Sequence, residues 1–275
     1  MRTNTVLTLV IALLAGLVRA EVPSPKPAVI GHRGMLQAAP ENTLAGFRAC
    51  LSLRVGFEFD VRRTKDGKLV CLHDETVDRT TNRIGKLATS WTLMDLRGLD
   101  AGSKFAFEFR DERVPTIDEI LDLIAESKPG TGLIAMDLKE AGDGIEAAIV
   151  KAAAERKVLG RLVFIGLTIE SALVRSRLKS ASRDAQTARL AADEASLAGA
   201  LADKDADWVY LRFLPGAEAR AQIRTAGKPV FIAGPLVAGH EPQNWSRAAE
   251  FEISAILTDY PLELAKQLRG PAVKP

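Results

Sequence analysis

The chain has 275 residues, 47% hydrophobic and 26% charged, with a formal net charge of +2. That length and balance suit one large globular domain and exclude extended disorder and a disulfide-framed mini-protein. Its 37 basic residues against 35 acidic ones leave no basic surplus of the kind that nucleic acid or an anionic membrane selects.

Residues 1–20 read as a secretory signal. Arg2 supplies the positive start and Val6 to Val18 the apolar core, and Val18-Arg19-Ala20 fits a cleavage site. The core is shorter than the roughly 20 residues of a membrane span. The expectation is therefore an exported protein, periplasmic or extracellular, with no stable membrane insertion after signal removal. Cleavage takes away Arg2 and Arg19 and no acid, which leaves the mature chain near neutral. Residues 21–27, EVPSPKP, form a proline-rich linker, and the folded domain is expected over 28–270.

Beyond the linker, short apolar runs alternate with helical patterns. Runs at 28–30, 56–61, 133–138, 162–167, 185–190, 208–213, 229–233 and 255–257 make eight strand candidates. The clearest helices are 42–53, with Leu44, Phe47 and Leu51 on one face, and 116–126, with Ile117, Ile120, Leu121 and Ile124 on one face. Alternation of this kind implies a parallel sheet, and eight units in about 250 residues favour closure into a single-domain (β/α)8 barrel. A short insertion follows the second strand: Lys68–Leu72 reads as an extra strand after the Lys65-Asp66-Gly67 turn, and residues 82–115 as a loop with short helices. Cys50 and Cys71 fall in a helix and a strand and read as small buried hydrophobes.

Barrel enzymes collect their chemistry at the C-terminal strand ends. His32 ends the first strand and His73 the extra strand, where two imidazoles could serve as acid and base. In Gly56-Phe57-Glu58-Phe59-Asp60-Val61, strand alternation sends the aromatics outward and Glu58 and Asp60 inward. Two carboxylates side by side in the interior need a cation. Asp137 and Lys139 share one face of the 133–138 segment in the same way. Three converging acids suit a hard ion, Mg²⁺ or Ca²⁺, and no Cys/His spacing suits zinc. The competing reading is a structural ion network in which Arg33 or Lys139 neutralises Glu58 or Asp60. Arg33 and Lys139 beside a divalent ion would make a phosphate site. His240, next to Glu241 and Pro242, reads as an exposed loop residue or one at the rim of the pocket.

These residues resemble the glycerophosphodiester phosphodiesterase family. The resemblance runs through GHRG at 31–34, PENTLAGF at 40–47 and FEFDVRRTKDGKLVCLHDETVDRTTN at 57–82. It continues in GLDAG at 98–102, VPTIDEIL at 114–121 and LTDYP at 257–261. The resemblance implies a barrel and a divalent ion on Glu58 and Asp60. It also implies an acid–base pair of His32 and His73 and a phosphate-binding Arg33. Asp137 and Lys139 fall where the family has Glu-x-Lys. The implied reaction converts a small-molecule phosphodiester to an alcohol and glycerol 3-phosphate. Two departures stand out: Asp137 replaces a glutamate, and Phe231-Ile232-Ala233-Gly234-Pro235 stands where the family has Trp-Thr-x-Asn. The second leaves open a different phosphodiester, such as a phospholipid head group. A non-catalytic binding protein built on the barrel would be expected to lack one of His32, His73, Glu58 or Asp60, and all four are present.

Overall fold

The computed structural model describes residues 26–270, apart from 129 and 131. The expected signal at 1–20 and most of the linker lie outside the described residues. Among the described residues nine strands form one sheet: β1 Ala28–Gly31, β2 Gly56–Arg63, β3 Leu69–Cys71, β4 Ile134–Leu138, β5 Leu162–Ile165, β6 Gln186–Ala191, β7 Trp208–Leu211, β8 Val230–Ile232 and β9 Ala255–Thr258. Eight are parallel neighbours in the order β1-β9-β8-β7-β6-β5-β4-β2, and β2 pairs back onto β1, which closes the barrel. The ninth, β3, runs antiparallel along β2, with Val61 opposite Cys71. This is the expected insertion after the second strand. It folds over one side with its own small core of Val70, Leu72, Val77, Leu87, Leu96 and Val114.

Alternation along the strands fixes two apolar layers. Ile30, Ala135, Val163, Ala188, Phe231 and Leu257 belong to the cluster that fills the barrel interior. Phe57, Phe59 and Val61 point the other way, into the helix layer, where Phe47 of the helix Leu44–Ser52 stacks on Phe57 at 4.4 Å. This leaves Glu58 and Asp60 on the inner face, as the pattern predicts.

The structure corrects some element ends, each for a local reason. The first helix begins at Leu44, because Thr43 caps it and Asn42 takes a left-handed φ of +55°. Thr116 caps the second predicted helix rather than joining it, in a capping box with Glu119. Strand β5 stops at Ile165, ahead of the expected Leu167, because Gly166 turns to φ +103°.

Both cysteines are free and buried, as expected. Burial pushes the Cys50 thiol up to about 12. Neither is expected to react with a thiol reagent at mildly alkaline pH until the protein unfolds. Rapid labelling of the native protein in a colorimetric titration would contradict that.

Candidate active site

The C-terminal strand ends open into a cavity of about 640 Å³ lined by His32, Arg33, Glu58, His73, Asp137 and Lys139 on one side and by Tyr210, Arg212, Ala233, Gly234 and Pro235 on the other. All of the side chains expected to carry chemistry line this cavity except Asp60, which lies buried at its floor, 1% exposed.

The parallel register explains the acidic cluster. Asp60 on β2 is the direct partner of Asp137 on β4, and Glu58 sits two residues earlier on the same face. Glu58, Asp60 and Asp137 each offer an oxygen within 4.8 Å of the others. The shorter Asp137 therefore still reaches the group. Gly166 makes room for it: a Cβ at that position would lie 1.9 Å from Asp137 Oδ1.

Charge balance inside the cluster is uneven. Burial, with Asp60 and Asp137 nearby, holds Glu58 well above the ordinary carboxyl range, although its Oε2 accepts from the Arg33 backbone N–H at 2.9 Å. Burial also raises Asp137, against the pull of Lys139. Burial works the same way on Asp60, but there Lys139, Asn42 and Arg33 together outweigh it and the carboxyl is lowered. Lys139 Nζ lies 2.6 Å from Asp137 Oδ2 and 2.9 Å from Asp60 Oδ1, the latter an ion contact without an aligned hydrogen bond. Arg33 Nε is 3.6 Å from Asp60 and its Nη1 donates to Glu41 at 3.1 Å.

One lysine and one shared arginine thus face three acids, and Asp137 Oδ1 is buried with no hydrogen-bond partner. A buried carboxylate oxygen without a donor is costly. An all-oxygen donor set in which Glu58 and Asp137 are both raised by burial, with an orphaned Asp137 oxygen, fits a hard divalent cation. The ion network expected as the competing reading is present too, but it does not satisfy the group. Replacing Gly166 with alanine is expected to weaken divalent-ion binding at least tenfold, because the added methyl displaces Asp137 and the left-handed φ disfavours any side chain. Unchanged affinity in a calorimetric titration would remove Asp137 from the ligand set.

Each histidine is held by a carboxylate that the sequence reading did not single out. His32 Nδ1 is 2.7 Å from Asp259 Oδ1, just beyond β9, and His73 Nδ1 is 2.8 Å from Asp74 Oδ1. A carboxylate at that distance accepts a hydrogen bond from Nδ1–H, which turns Nε2 of each ring toward proton exchange with a substrate. Asp74 is gripped in turn by Arg79, at 2.7 Å to Oδ2 and 3.0 Å to Oδ1, and this pairing holds its carboxyl well below the usual range. Arg79 also clasps Glu41, the partner of Arg33. One chain of charges therefore joins Arg33 to His73. Asn42 was missed as well: its Nδ2 donates to Asp60 Oδ2 at 2.7 Å, and its Oδ1 accepts from the Cys71 thiol at 3.1 Å. Cys71 is thus a donor within the site's support and not only a small hydrophobe. His240 does not join the site; it is exposed and packs edge-on against Trp245 and Tyr260.

A closed (β/α)8 barrel with an acid-floored mouth, flanked by two carboxylate-held imidazoles and two cations, defines the class of molecule. Residues 32–207 match the model of the glycerophosphoryl diester phosphodiesterase family, and the chain belongs to that family. It is 42% identical over 142 residues to a glycerophosphodiester phosphodiesterase of Caldanaerobacter subterraneus, which covers 50% of this chain and 57% of that protein. It is 33% identical over 141 residues to a glycerophosphodiester phosphodiesterase of Bacillus subtilis, covering 48% and 47%. The chain thus spans about half the length of these curated relatives. Among solved structures, a glycerophosphodiester phosphodiesterase from Agrobacterium tumefaciens superposes with a TM-score of 0.75 at 24% identity, over 87% of this chain and 100% of that one. A phosphodiesterase from Oleispira antarctica, solved with its product sn-glycerol-3-phosphate, superposes with a TM-score of 0.71 at 23% identity, over 89% and 98%. At these identities the superpositions establish the barrel fold.

Proposed function

We propose that this protein hydrolyses glycerophosphodiesters to an alcohol and glycerol 3-phosphate, with a divalent ion on Glu58, Asp60 and Asp137 and with His32 and His73 as acid and base. The observation that carries this reading is the pairing of an incompletely neutralised acidic triad with two carboxylate-held histidines at one barrel mouth. Mg²⁺ or Ca²⁺, when bound, would polarise the phosphoryl oxygen and acidify the attacking hydroxyl.

The chain's own groups do the rest. One histidine Nε2 takes the proton from the glycerol hydroxyl as its oxygen attacks phosphorus. The other, protonated, gives its proton to the departing alkoxide. Water then opens the cyclic phosphate with the two roles exchanged. Arg33 and Lys139 offset the charge that builds on the phosphoryl oxygens. Asp259 and Asp74 hold the rings and stabilise each imidazolium as it forms.

The 1–20 segment supports export of the protein, with action on diesters outside the cytoplasm. No helix among the described residues is long and apolar enough to cross a membrane. The second substrate class is a lysophospholipid, whose acyl chain would lie against Leu167, 81% exposed at the mouth.

The test is glycerol 3-phosphate release from a panel of glycerophosphodiesters and a lysophospholipid, each with Mg²⁺, Ca²⁺ or chelator. Ion-dependent release from the short diesters is expected. Turnover of the lysophospholipid alone would favour the second class, and release that survives chelation would contradict the proposed role of the acids.

A further inference from the structure

Arg212 directly follows β7, four strands from β2 in either direction round the ring, and so faces the acidic cluster across the cavity. The other two cations at the mouth are already matched by acids: Arg33 by Glu41 and Asp60, Lys139 by Asp60 and Asp137. Arg212 has no carboxylate in ion-pair range among the described residues. Its Nη1 donates instead to the phenol oxygen of Tyr210, at 3.0 Å.

That phenol is a fixed anchor. Tyr210 is buried and its ring packs edge-on against Phe231 at 5.4 Å. The backbone beneath the guanidinium is cleared as well. Gly234 has φ +101°, and a Cβ there would lie 2.7 Å from Arg212 Nε and 3.1 Å from its Cζ. The neighbouring wall, Ala233, Pro235, Ala238 and Leu257, is apolar. Arg212 is exposed at the mouth, yet its head group has both a buried anchor and a glycine beneath it. An anchored, unmatched guanidinium on an apolar cavity wall suits a planar anion.

We propose that Arg212, oriented by Tyr210, binds an anionic group on the alcohol half of the substrate. This rests on the reaction proposed above. The phosphoryl group belongs over the acids, with Arg33 and Lys139, and glycerol carries no charge. An anion that reaches Arg212 therefore belongs to the alcohol.

Glycerophosphoserine and glycerophosphoethanolamine differ only in a carboxylate. With the full chain and a divalent ion, kcat/KM for the serine diester is expected to exceed that for the ethanolamine diester roughly ten- to a hundredfold, the range of a charge-assisted pair. Arg212→Gln should bring the ratio close to one, Arg212→Lys should keep part of it, and Gly234→Ala should lower it by displacing the guanidinium. If both diesters are cleaved at similar rates by the unmodified protein, or if Arg212→Gln keeps the preference, Arg212 is a solvated surface charge and the inference is overturned. Cleavage of neither diester would overturn the reaction itself, and this inference with it.

Discussion

His32→Ala is expected to lower kcat by roughly a thousandfold, within the range that a positioned acid or base contributes, while divalent-ion binding and folding persist. His32 is outside the acidic triad, partly exposed just beyond β1, and its side chain is held by Asp259. Its loss leaves the apolar layers intact. A structural role would show the opposite pattern, with a lowered melting temperature and a proportionate loss of ion affinity. His73→Ala should match it in size. The double variant should lose little more than either single variant, since each step of the proposed reaction uses both groups. Asp259→Asn provides a finer comparison. It keeps the shape but allows the amide to donate to Nδ1, which favours the wrong tautomer. A drop in kcat with KM nearly constant is the expected signature.

Asp60→Asn should have the second large effect, on stability as well as activity. Asp60 is buried, accepts from Asn42, and sits between Lys139 and Arg33. Removing its charge leaves two cations short of a counter-ion. Breaking a buried pair costs about 3–5 kcal/mol. The lower end is expected here, because Lys139 keeps Asp137 and Arg33 keeps Glu41. In a domain of this size about 3 kcal/mol corresponds to a fall in melting temperature of roughly 6–12 °C. The same change removes a proposed ligand oxygen, so added Mg²⁺ or Ca²⁺ is expected to raise the melting temperature of the unmodified protein but not that of the variant. Thermal denaturation with and without the ion reads both effects. A variant as stable and as ion-responsive as the parent would take Asp60 out of the centre of the site.

The parts of this site that were legible in the sequence are those set by local rules. Period-two alternation sends Glu58 and Asp60 inward because Phe57 and Phe59 must reach the helix layer. Strand ends place His32 and Lys139 at the mouth. The barrel follows from eight alternating units, and the insertion from a turn signal at 65–67 followed by a short apolar run. What stayed hidden depends on barrel closure or on unusual backbone. Asp259 meets His32 across 227 residues only because β9 lies beside β1. Asn42 reaches Asp60 from a left-handed turn just ahead of the helix, not from within the helix that the sequence pattern starts there. Arg79 and Glu41 meet across 38 residues once the insertion folds back. Arg212 follows a strand whose run looked two residues longer, and nothing local marks it as unmatched.

Phosphorus NMR of glycerophosphoethanolamine turnover tests the central claim most directly. With a divalent ion the diester resonance should be replaced by that of glycerol 3-phosphate, at a rate abolished by chelator and by His32→Ala. Appearance of ethanolamine phosphate, or turnover indifferent to the ion, would contradict the assignment of the acids and histidines made here.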